Sequence, residues 1–201
     1  MTQSRLLRAA DYPRMPWKNG AGSTLEIARD AGDGLDGFGW RLSIADVGES
    51  GGFSAFTGYQ RVITVLEGAG MRLAVDGQQS RDLTALDAFA FDGDSTVHCE
   101  LIDGPIRDFN LIYSPQRYAA RLQWLRVDGE HKLFSAASTL LLFAAEAGTS
   151  LVIDGQASEA LGRHDCLHIE ASGALAELKL DGKGACCLIE LTPRQGMKPI
   201  R

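Results

Sequence analysis

Apolar and polar residues alternate with a period of two, or gather in short β-branched runs, along most of the chain. Over residues 38–45, Phe38, Trp40, Leu42 and Ile44 fall on one face of a strand and Arg41, Ser43 and Ala45 on the other. Phe109, Leu111 and Tyr113 alternate with Asp108, Asn110 and Ile112 in the same way. Val62, Ile63, Val65 and Leu66 form an apolar run of buried-strand length, which Glu67-Gly68-Ala69-Gly70 ends as a turn. A partner strand over 71–75 closes on Asp76-Gly77, a hairpin signal. Further strands are expected over 5–9, 24–28, 86–91, 96–102, 121–127 and 130–135, the last two as a hairpin about Asp128-Gly129. An acidic loop is expected over 30–37 and a loosely ordered tail over 192–201. No long helical period emerges.

The hairpin at 62–77 has an echo. Leu73, Val75, Asp76, Gly77 and Gln78 are matched by Leu151, Ile153, Asp154, Gly155 and Gln156, a constant offset of 78 residues. Leu83 and Asp87 fall on Leu161 and Asp165 at the same offset, and Asp103-Gly104 on Asp181-Gly182. A run of matches in register predicts a duplicated unit, too long for a solenoid repeat and about right for a small domain. The expectation is therefore an all-β protein of two jelly-roll barrels with few or no long helices, divided as 1–115 and 116–201. The two are expected to pack closely, with terminal strands able to exchange.

Composition agrees with that picture, since 23 of the 201 residues are glycine and sit between the apolar runs. The net charge of −6 disfavours nucleic acid or an anionic membrane as partner, because each requires a basic face. No apolar stretch approaches a membrane span, and residues 1–10 lack the apolar middle of a secretory signal, so a cytoplasmic location is expected. Cys99, Cys166, Cys186 and Cys187 form no CxxC pair and read as reduced, mostly buried thiols.

Val65-Leu66-Glu67-Gly68 followed by Val75-Asp76-Gly77 resembles the hairpin signature of the cupin superfamily. Metal-binding cupins present His-x-His and Glu before the hairpin and a further His after it. Here residues 51–58 contain no histidine and Arg61 stands where the glutamate is expected. His164, Cys166 and His168, with Glu170, share strand parity and are the strongest metal candidates, yet a straight strand spreads them over roughly 20 Å. No cofactor is expected.

The polar stretches carry a second resemblance. The segments Pro16 to Ile27, Trp40 to Val47, Gly52 to Arg61, Phe91 to Asp94 and Gly104 to Asn110 are similar in order and spacing to the HutD/Ves family, over about 5–191. The resemblance implies a bicupin fold and, for the HutD branch, a link to bacterial histidine utilisation through binding of a pathway intermediate, with no established catalysis. Ala21, Leu25 and Gln60 depart from the family pattern, which commonly has Gly, Arg and Asp there.

If the polar faces line the first barrel, Arg41, Arg61 and Lys18 give it a cationic floor, oriented by Ser43, Asp108 and Asn110, with Trp17 and Asn19 nearby. That arrangement suits a small carboxylate, which arginine binds bidentately. The plainer alternative is that Arg41 and Arg61 are ion-paired to Asp108 or Asp46 and only fix the fold. Trp40 is a second candidate for stacking, with core packing as its alternative. The expected function is metal-independent binding of a small anionic metabolite, such as urocanate or formylglutamate, in a regulatory role. The alternatives are a cupin-type isomerase or hydrolase using His164, His168 and Glu170, and a stress-related scaffold without a ligand, possible as a homodimer paired through its sheets.

Overall fold

Residues 2–32 and 37–194 are described in the computed structural model, and their strands begin and end at the turn signals of the sequence. The strands of the first half are β1 (Gln3–Leu7), β2 (Arg14–Pro16), β3 (Gly22–Arg29), β4 (Trp40–Val47), β5 (Gly51–Gly52), β6 (Gln60–Glu67), β7 (Met71–Val75), β8 (Gln78–Gln79), β9 (Ala88–Asp92), β10 (Val97–Leu101) and β11 (Ile106–Tyr113). The second half holds β12 (Tyr118–Asp128), β13 (His131–Ser135), β14 (Thr139–Ala144), β15 (Thr149–Ile153), β16 (Gln156–Ala157), β17 (Cys166–Glu170) and β18 (Ala176–Pro193). Among the described residues the helical content is a single 3-10 turn, Ala9–Asp11, and no helix is long and apolar enough to cross a membrane. Residues 33–36 of the acidic loop and 195–201 of the tail lie outside the described residues, while Thr192 and Pro193 continue β18.

The chain divides into two compact units. One is Pro13–Pro115, a six-stranded antiparallel sheet in the order β2-β3-β4-β11-β6-β9 facing a smaller sheet in the order β5-β10-β7-β8. Ile63, Val65, Met71, Leu73, Leu83, Val97 and Cys99 fill the space between them at one end. The other unit joins the segment up to Tyr12 to everything from Gln116 onward. β1 crosses the boundary near 115 as an exchanged terminal strand: it pairs with β17 over its whole length, Gln3 opposite Glu170 and Leu7 opposite Cys166. A strand's partner is set by edge hydrogen bonding, which sequence proximity does not reveal.

The second unit is organised by β18. Its first part, through Gly182, pairs with β13 and β15, and its remainder with β12 and β14. The change falls at Gly182, whose φ is 114° and where a Cβ would stand 2.0 Å from the Gly148 carbonyl oxygen, so glycine is required there. Asp128-Gly129 consequently joins two strands that flank β18 instead of forming the expected hairpin; the Gly129 N–H donates to the Gly182 carbonyl.

The internal repeat is visible at the level of single hydrogen bonds. β7, β8 and β9 map onto β15, β16 and β17 at the 78-residue offset. The hydroxyls of Ser80 and Ser158 accept the N–H of Leu73 and Leu151, each at 2.9 Å. Asp76 and Asp154 share a left-handed backbone, at φ 49° and 50°, as do Leu86 and His164, at 64° and 66°.

Candidate functional site

β4, β11 and β6 lie side by side in the large sheet of the Pro13–Pro115 unit, and their register stacks polar residues in rows. Ile112 sits between Arg41 and Arg61, Asn110 between Ser43 and Ile63, and Asp108 between Ala45 and Val65. Shared parity turns Arg41, Ser43, Arg61, Asp108 and Asn110 to one face, where they line a cavity of about 630 Å³. Trp17, Lys18 and Asn19, from the loop between β2 and β3, line the same cavity. All eight residues singled out in the sequence are thus brought together. Trp40 is not among them, being 1% exposed on the opposite face of β4.

Arg61 is only 6% exposed, with its guanidinium 5.5 Å from the Phe53 ring centre, 5.3 Å from Phe56 and 4.9 Å from Phe91. Such faces attract a desolvated cation without supplying a counter-ion. Its Nη1 donates to the Ser54 carbonyl at 3.2 Å and its Nη2 to Asn110 Oδ1 at 3.0 Å, while its Nε, also buried, has no hydrogen-bond partner. Burial pushes the Arg61 guanidinium down to about 10, opposed by Asp108 and assisted by Arg41.

Asp108 is 1% exposed and accepts a hydrogen bond from the Asn110 amide, which therefore links it to Arg61. Burial pushes its carboxyl up to about 7, against the pull of Arg61 and the Asn110 hydrogen bond. Among the described residues, neither Arg61 nor Asp108 makes an ion pair within 4 Å. The ion-paired alternative holds for Arg41 with a different partner, since its Nε donates to Glu26 at 2.7 Å, but not for Arg61; Asp46 pairs instead with Arg14 and Arg107, each at 2.7 Å.

Glu26 was not legible as part of the site. It lies on β3, 16% exposed, and takes Arg29 as well as Arg41. Burial would raise its carboxyl, but the hydrogen bonds from the two guanidiniums hold it below the ordinary value. Glu26 does not itself line the cavity but reaches it through Arg41, and its alternation along β3 with Thr24, which does line it, is the available signal. Phe53 and Phe56 lie in the loop before β6, where no periodicity marks a function. Leu25 and Gln60, two of the departures from the family pattern, do not line the cavity; Gln60 donates instead to Asp92 at 3.3 Å.

The mouth is shaped by the turn after Trp17. The indole Nε1–H donates to Thr24 Oγ1 at 2.9 Å, and Asn19 Oδ1 accepts the Ala21 N–H at 3.1 Å. The Trp17 ring lies close over Gly22, where no Cβ fits.

The second barrel carries the same register without the same chemistry. In place of Ile112 between Arg41 and Arg61 stands Glu190 between Arg121 and Leu140. Carried along β18, Asn110 corresponds to Leu188 and Asp108 to Cys186. Leu140, Cys186 and Leu188 are part of that unit's packed core. One copy of the barrel interior is polar and hollow at these positions, and the other is filled.

His164, Cys166 and His168 do not converge. The left-handed backbone at His164 breaks the strand parity before β17 begins, and its ring stacks on Phe143 at 5.7 Å. Cys166 is fully buried, which pushes its thiol up, and His168 Nε2 lies 2.8 Å from Glu170 Oε1. Among the described residues no group of three or more His, Cys, Asp or Glu could hold a metal ion. The cavity does not fit a divalent ion either, since two guanidiniums face it and Asp108 is its one carboxylate.

Two duplicated jelly-roll barrels, one of them enclosing an arginine-floored cavity, define a bicupin. The chain belongs to the HutD family, whose model matches residues 9–188. It is 61% identical over 194 residues to an uncharacterized 21.2 kDa protein in the hutC 3′ region of Pseudomonas putida, covering 96% of this chain and all of that one. It is 34% identical over 149 residues to protein Ves of Escherichia fergusonii, covering 72% of each. Among solved structures, a conserved protein of unknown function from Pseudomonas aeruginosa PAO1 matches with TM-score 0.93 and 63% identity over 94% of this chain and 99% of that one. HutD from Pseudomonas fluorescens SBW25, in a formate condition, matches with TM-score 0.84 and 60% identity over 96% and 100%. A bacterial pirin from Escherichia coli, in complex with nickel(II), shares the fold alone, with TM-score 0.68 at 12% identity over 96% and 100%.

Proposed function

We propose that the Pro13–Pro115 barrel binds a small carboxylate metabolite without a metal ion, and that this binding serves regulation. The observation that carries the reading is the Arg61 guanidinium: buried, cationic, lining the cavity, and without an ion pair among the described residues. An unpaired buried charge is expensive to maintain, and a carboxylate in the cavity compensates it. Arg41 reinforces it, because only its Nε is engaged among the described residues. A cavity of this size accommodates a compact metabolite and excludes a peptide chain. Urocanate and formylglutamate are the favoured candidates, given a relative in a hutC 3′ region and another named HutD.

A thermal-shift series with urocanate, formylglutamate, glutamate and formate tests this on the wild type and on Arg61→Lys. A ligand at 100 times its dissociation constant should add about 2.7 kcal/mol to the wild type. Lysine keeps the charge but loses the planar fork, so the response in Arg61→Lys should fall sharply. No shift with any carboxylate, or equal shifts in both proteins, would sink the reading. Chemical turnover of a bound carboxylate would replace it with a catalytic one.

A further inference from the structure

We propose that the cavity takes up its carboxylate ligand together with one proton, and that Asp108 carries that proton in the complex. The inference rests on the carboxylate reading above and adds a co-ligand to it.

Asp108 lies on the cavity face of β11, almost fully buried, with one oxygen held by Asn110. The ionisable groups around it are few. Arg61 faces it from β6, and Arg41 shares the cavity from β4 but is already matched by Glu26. Asp46, also on β4, adds repulsion. From β10 comes the Cys99 thiol, fully buried and pushed up to about 12 by burial first and Asp108 second. Lys18 stands on the exposed loop that lines the mouth.

An entering carboxylate therefore joins a resident carboxylate in one cavity, whose two guanidiniums are Arg41, already ion-paired to Glu26, and Arg61, without an ion pair among the described residues. Two such groups held close in a low dielectric cannot both stay ionised, and they share a proton. The balance is simple: ligand anion, Asp108 carboxylate and one solvent proton give the ligand anion beside a neutral Asp108 carboxyl, with no covalent bond in the ligand made or broken. The neutral form also turns an acceptor-only group into an O–H donor, which the ligand can use. Burial brings free Asp108 to about 7, so the uptake falls near neutrality.

The sign follows by linkage. Below about pH 7 free Asp108 is already protonated and affinity is level; above it each binding event draws a proton from solvent, and Kd rises about tenfold per pH unit. Isothermal titration of the full chain with formylglutamate, whose carboxyls titrate well below this range, tests the proposal. Runs near pH 8 in two buffers of unlike ionisation heat should show an uptake approaching one proton. In Asp108→Asn the uptake should vanish and Kd should become independent of pH.

Binding with no proton uptake and a flat Kd overturns the proposal while leaving the carboxylate site standing. Uptake that persists in Asp108→Asn assigns the proton elsewhere and also overturns it. If neither formylglutamate nor formate binds at any pH, the carboxylate reading falls and takes this one with it. Absence of proton uptake by the wild type overturns the proposal even if Asp108→Asn does not fold, and Asp108→Glu, which keeps a titrating carboxyl, should then retain the uptake with a shifted pH midpoint.

Discussion

Introducing Arg61→Leu, Asp108→Cys and Asn110→Leu together is expected to stabilise the ligand-free protein by about 1 to 4 kcal/mol in urea unfolding, and to end its response to carboxylates. These are the residues that the second barrel carries in the same register, as Leu140, Cys186 and Leu188. There they belong to a packed core. In the first barrel the same positions hold a guanidinium with an unsatisfied Nε and a carboxyl that burial pushes up to about 7. Replacing a buried polar cluster as a whole avoids the penalty of leaving one member unpaired, which single substitutions would incur. A urea midpoint at or below that of the wild type would show that the cluster holds the barrel together, contrary to a binding role.

Gly22→Ala should lose about 3 kcal/mol and weaken ligand binding with it. A Cβ at Gly22 would stand 2.2 Å from the Asp46 carbonyl oxygen and 3.0 Å from two atoms of the Trp17 ring. Asp46 cannot yield, because β4 is held between β3 and β11. The Trp17 loop must therefore move, carrying Lys18 and Asn19 with it. A lower urea midpoint, a changed tryptophan emission and a smaller carboxylate shift should appear together. A wild-type midpoint would show that the sheet can open at this point more cheaply than its pairing implies.

The features legible in the sequence were those written in strict periodicity. Alternation set Arg41 with Ser43 on one face of β4 and Asp108 with Asn110 on one face of β11, whereas the β6 run does not alternate and the face of Arg61 comes from its register with β11. The repeat was readable because Asp-Gly turns tolerate few substitutes at positive φ, so Asp76-Gly77 and Asp154-Gly155 stayed alike. What escaped depended on contacts between distant segments. Glu26 joins the site through a neighbouring strand, and β1 joins the far unit through an edge. The rings around Arg61 come from a loop and from β9. His164 misled because parity counting presumes a regular strand, and one left-handed residue resets the count.

The enclosure of Arg61 by Phe53, Phe56 and Phe91 has a consequence for selectivity among anions. Water is stripped from this guanidinium when the chain folds, so an arriving anion meets a receptor already bare and aimed. The remaining dehydration falls on the anion alone. Phosphate and sulfate dianions, which hold their water tightly, are then disfavoured relative to a carboxylate group, which carries a single charge. The aromatic wall thereby acts as a filter on hydration, set before any ligand-specific contact is made.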